Sequence, residues 1–102
     1  MSESDREQLQ QMTRHTSATT IRAAAAKAKH GSREGRLQLT AAMAWVAYAC
    51  PAATEAVCDN IAAAWLGQGP TPEVPTGLPE APLEDSFWEA FWNVVDGHDE
   101  GY

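Results

Sequence analysis

Five of the six prolines in this chain, Pro70, Pro72, Pro75, Pro79 and Pro82, fall within a single short stretch. Proline lacks a backbone donor and biases the residue before it away from helical geometry, so regular structure must lie on either side of that stretch. Gly67, Gly69 and Gly77 strengthen the break. The chain therefore divides into a body (residues 1–66), a proline-rich extended arm (67–85) and a C-terminal segment (86–102). With 102 residues there is room for one domain, so the last segment is expected to pack back on the body. Val74, Leu78 and Leu83 are the arm residues that would pin it there.

The apolar residues decide what the body can be. Nineteen are alanine and only 13 are Val, Ile or Leu. Alanine is the strongest helix former but buries little area. Thin, closely packed helices follow, with Trp45, Trp65, Phe87, Trp88, Phe91 and Trp92 supplying the bulk. The expected fold is all-α: a small bundle of four to five helices, with the extended arm before the last one.

Helix boundaries can be read from local signals. A first helix is expected from Asp5 to His15, with Ser4 and Glu7 as a capping box. Leu9 and Ile21 lie twelve positions apart, roughly 120° around an α-helix, so one continuous helix would not keep them on one face. A break at Thr16-Ser17 resolves this, with Ser17 capping a second helix over residues 18–30 and Gly31 closing it. The third helix, Arg33 to Cys50, is apolar nearly all round, which marks the buried centre of a bundle. Pro51 suits the first position of a fourth helix reaching Leu66. Val57, Ile61, Ala64 and Trp65 share one face of it, and Glu55 and Asp59 the other. Cys50 and Cys58 read as free, buried thiols. In the C-terminal segment Ser86 and Glu89 form a second capping-box pattern, and Gly97 ends the helix.

Phe87, Trp88, Phe91 and Trp92 admit two roles. They can close an alanine-rich core that is short of bulk. Alternatively Trp88, Trp92 and Val95, at i, i+4 and i+7, can anchor the helix in a partner's groove.

Charge is as segregated as the prolines. All seven lysines and arginines lie at or before Arg36, and ten carboxylates follow without a basic residue. Nothing spaces Ser or Cys near His in a catalytic arrangement, and no phosphate-binding glycine loop is present. The expectation is a protein that is not an enzyme, with no cofactor and no metal. Asp96, His98, Asp99 and Glu100 are hard or borderline metal ligands, but they read better as a solvated tail. The longest apolar stretch, Leu39 to Ala53, falls short of the ~18 residues that suggest a membrane span, and the N-terminus lacks a secretory core, so a cytoplasmic protein is expected.

Two functional readings remain. In the first, the chain binds another protein through Glu80, Glu84, Asp85, Glu89, Asp96, Asp99 and Glu100, with Trp88 and Trp92 as anchors. The partner would carry a cationic nucleic-acid-binding surface, which the chain would block as an inhibitor or DNA mimic. In size and charge the chain resembles small acidic phage inhibitors, anti-CRISPR proteins among them. In the second, Arg14, Arg22, Lys27, Lys29, Arg33 and Arg36 meet DNA phosphates. That layout of basic helices, proline-rich arm and acidic aromatic helix resembles antitoxins, in which the first part binds operator DNA and the last clasps a partner. The weak positive charge of the first half and the acidity of the second favour the protein-binding reading.

Overall fold

The computed structural model describes residues 2–28, 31–65, 77 and 83–100. Most of the proline-rich arm, with Val74, Leu78 and Glu80, therefore lies outside the described residues, as do Lys29 and His30. So do the side chains of Ala64, His98, Asp99 and Glu100, and with them the expected solvated tail.

Among the described residues the protein is an all-α bundle of five helices: α1 (Glu3–His15), α2 (Ala18–Ala26), α3 (Arg33–Ala49), α4 (Thr54–Trp65) and α5 (Asp85–Glu100). A 3-10 turn, Pro51–Ala53, joins α3 to α4. Among the described residues, no helix is long and apolar enough to cross a membrane.

α3 is the axis of the fold. It packs against α1, α2 and α4, and α5 lies against α4. The apolar periphery expected of a central helix is borne out: Leu37, Leu39, Ala41, Ala42, Met43, Ala44, Trp45 and Ala47 are all buried. Leu9, Ile21, Val57 and Ile61 reach the same core from the other helices. Alanine at three successive α3 turns lets α2 and α4 approach closely, and the aromatics fill what alanine leaves empty. Trp45 meets Tyr48 edge-on at 6.3 Å, and Tyr48 meets Phe87 of α5 edge-on at 5.5 Å.

The caps differ from expectation in instructive ways. Ser17 caps α2, its hydroxyl accepting from the Thr20 N–H at 3.2 Å. For α1 the cap is Ser2, which accepts from the Asp5 N–H at 3.2 Å, rather than Ser4 with Glu7. Both pairs fit a serine followed three residues later by an acid, but Asp5 also binds Arg33 at 2.5 Å, and that tertiary contact selects the earlier register. α2 stops at Ala26 with Lys27 as its cap, four residues before Gly31. Pro51 opens the 3-10 turn rather than α4 itself. α5 begins one residue before Ser86 and runs through Gly97 to Glu100. Gly97 does not adopt the positive φ that a terminating glycine needs; among the described residues only Gly77 does, at 80°.

Two side chains sit further out than expected. Cys50 is exposed because it caps the C-terminus of α3, whereas Cys58 is buried; neither is joined in a disulfide. Trp65 is half-buried at the rim, where polar contacts hold it. Its indole donates to Thr40 Oγ1 at 3.2 Å, and the Thr40 hydroxyl donates to the Arg36 carbonyl at 2.7 Å. Arg36 donates to the Trp65 carbonyl at 3.2 Å and lies 4.9 Å over its ring. Arg36 thus satisfies an orphan carbonyl at the C-terminus of α4.

Candidate functional site

The seam between α1 and α5 concentrates the chemistry of the molecule. Arg6 near the start of α1 pairs with Asp96 near the end of α5, and Arg14 near the end of α1 pairs with Asp85 at the start of α5 at 3.1 Å. The reversed order makes the two helices antiparallel neighbours, clipped at both ends. Arg6 is the stronger clip. Its Nη2 and Nη1 engage the two oxygens of Asp96, the latter at 3.4 Å, in a two-point fork that lysine could not form. The Arg6 guanidinium also lies 4.8 Å over the ring of Trp92.

These contacts tune the carboxylates. The hydrogen bonds from Arg6 hold the Asp96 carboxyl below its ordinary range, with the guanidinium charge adding to them against a smaller opposing cost of desolvation. For Asp5, burial pushes the carboxyl up, but hydrogen bonds from Ser2 and Arg33, together with the Arg33 charge, outweigh it and leave the value lowered.

Beside the Arg6 clip runs an open groove of about 630 Å³ lined by Glu3, Arg6, Glu7, Gln10 and Trp92. Glu3, Arg6, Glu7 and Gln10 are the i, i+3, i+4 and i+7 positions of one α1 face. Trp92, from α5, supplies the aromatic wall. Two donors here, Arg6 Nε and Trp92 Nε1, are buried and have no acceptor among the described residues. Glu3 and Glu7 are exposed.

The residues expected to bind a partner are distributed unevenly around this seam. Trp88 and Trp92 stack at 5.3 Å and are buried, at 3% and 9% exposure, so a partner reaches Trp88 only if α5 leaves the body. Asp85 and Asp96 turn their charge toward α1. Glu84 and Glu89 are exposed. Of the residues expected to meet DNA, Arg14, Arg33 and Arg36 are engaged within the fold as described. Arg22 is half-buried and Lys27 exposed, and neither makes an ion pair among the described residues. Arg6, Glu3 and Gln10 were not singled out from the sequence as site residues, and Glu7 was expected only as a capping residue. Their four-residue helical stripe was visible there, but the tryptophan that turns it into a groove lies 82 residues beyond Gln10.

Among the described residues, no three His, Cys, Asp or Glu side chains come together as a metal site. Compared with protein-family models, curated proteins and solved structures, the chain finds no match.

Proposed function

We propose that this chain is a non-enzymatic protein-binding protein whose acidic surface occupies a cationic, nucleic-acid-handling surface on another protein and blocks it. The observation that carries the reading is where the charges end up. The arginines of α1 reach across to Asp85 and Asp96, while Glu55 on α4, Glu84 just before α5 and Glu89 on α5 stay exposed, in a part of the chain without a lysine or arginine. Such a face attracts a basic partner from a distance and repels nucleic acid. Within the proposal the chain acts as an inhibitor, in the manner of a DNA mimic.

The DNA-binding alternative has less to stand on. Three of its six arginines and lysines are used inside the fold, and the exposed carboxylates oppose the same phosphates. A mobility shift with duplex DNA at low salt separates the two classes, since binding to DNA would favour the alternative. Capture from the cell that makes the protein, after nuclease treatment, should recover a basic partner. The same capture with E55Q/E84Q/E89Q should lose it. A partner held equally well by that variant would remove the electrostatic basis of the reading.

A further inference from the structure

We infer that α5 is a latch: it leaves the body as a unit while α1–α4 stay assembled round α3, and in leaving it uncovers the apolar face of Trp88, Trp92 and Val95. The inference goes beyond the acidic-surface reading and does not depend on it. α1, α2 and α4 each pack on α3, whereas α5 packs on α4. The central helix therefore keeps three packed neighbours when α5 departs. Phe87, Trp88, Phe91 and Trp92 meet one another within α5 at centroid distances of 5.1–5.7 Å. Among the described residues, the ring–ring contact that leaves the helix is that of Phe87 with Tyr48. Rings that shield one another in both positions reduce the apolar area that opening gives to water.

The seam with α1 is polar and imperfectly satisfied. Arg6 forks onto Asp96 and lies over Trp92, and Arg14 pairs with Asp85. Each side also carries a buried donor without an acceptor among the described residues, Arg6 Nε and Trp92 Nε1. Closed, these donors are dehydrated and unpaired; opened, both meet water, so opening recovers hydration that closure gives up. The covalent connection allows the movement. Residues 66–84, five of them proline, separate α4 from α5, whereas residues 16–17 and 27–32 are enough between the earlier helices. That length of chain lets α5 part from α4 with Trp65 in place. The closed form still dominates, because Trp88, Phe91, Trp92 and Val95 are buried in it.

The test is native-state hydrogen exchange on the full chain at urea concentrations below the global transition. In the parent, amides of residues 88–95 should show an opening constant at least about tenfold larger than those of residues 39–47, with a weaker urea dependence because less surface is exposed. Two variants separate the latch from global unfolding. Ile21 is buried on α2, and the open form keeps its contacts. Ile21→Val should therefore raise the opening of residues 39–47 by about threefold or more and leave that of residues 88–95 within about twofold. Arg6→Lys keeps the charge but loses the fork, and should raise the opening of residues 88–95 by about threefold or more. If the two segments share one opening constant and one urea dependence, or if Ile21→Val raises both alike, α5 unfolds only with the body and the latch is overturned. If Arg6→Lys leaves residues 88–95 unchanged, the seam with α1 does not hold the latch shut and that part of the assignment falls.

Discussion

Trp45 is the largest of the fully buried side chains among the described residues. It is 1% exposed, in the C-terminal half of the central helix, and touches the aromatic chain that ties α3 to α5. Trp45→Ala should cost about 3–5 kcal/mol in chemical denaturation, the usual range for a buried aromatic. Against a total of roughly 5–15 kcal/mol for a domain of this kind, that variant stands near the edge of folding. Trp45→Phe should lose much less than the alanine variant, because the ring bulk is mostly kept and the indole Nε1, which has no acceptor among the described residues, is removed. Equal losses for the two variants would mean that the indole makes a contact beyond packing. Thr40 tests a different kind of residue. Its hydroxyl is the acceptor for Trp65 and is itself satisfied by the Arg36 carbonyl. Thr40→Val keeps the shape and leaves the Trp65 indole unpaired, so a loss of about 1–3 kcal/mol is expected. A Thr40→Val melt identical to the parent's would remove that network from the stability of the α3–α4 contact.

At the scale of elements, α5 is the helix whose role decides most. Its buried face, Trp88, Phe91, Trp92 and Val95, belongs to the common core, while its polar ties to α1 among the described residues are two arginine–aspartate pairs and the stacking of Arg6 on Trp92. The Arg14–Asp85 pair is exposed and belongs to a class worth about 0–1 kcal/mol, readily screened by salt. Apolar packing must therefore hold the helix in place. Amides of residues 88–95 should be strongly protected from hydrogen exchange, and protection should persist in 1 M salt; near-random-coil exchange would show that α5 is undocked in solution. Much of this architecture was legible in the sequence, because it rests on local chemistry. Ser17 announces α2, the apolar girth of α3 announces the centre, and the aromatic run announces α5. What was not legible depends on partners far along the chain. Two serine–acid pairs compete for the start of α1, and only Arg33, 28 residues from Asp5, decides between them. Gly97 reads as a stop, yet a glycine ends a helix only where the backbone turns left-handed, and here it continues. Trp65 reads as core, yet its indole and carbonyl are polar groups that find their partners at the rim. The groove escaped for the same reason, since Arg6 meets Asp96 across 90 residues.

The molecule as a whole carries a net charge of −7 at pH 7. Its stability against pH should reflect two opposed effects. Acidification from neutrality toward the isoelectric point, near 4.7, removes self-repulsion among the carboxylates and should raise the melting temperature modestly. Below about pH 4 the sign reverses. Asp5 and Asp96 both have folded values lowered by their arginine contacts. A carboxyl lowered in this way stabilises the fold at every pH above its unfolded value, near 3.9, and that contribution is lost as pH falls through the folded value. The melting temperature should therefore peak between about pH 4 and pH 5 and fall on the acid side, where Asp5 releases Arg33 and Asp96 releases Arg6. The variant D5N/D96N isolates the cause. It should melt below the parent at pH 7, where the ion pairs it lacks are fully formed, and should lose less than the parent between pH 5 and pH 3. Parallel acid limbs for variant and parent would assign the loss to other carboxylates and leave the α1 and α5 contacts without a part in acid unfolding.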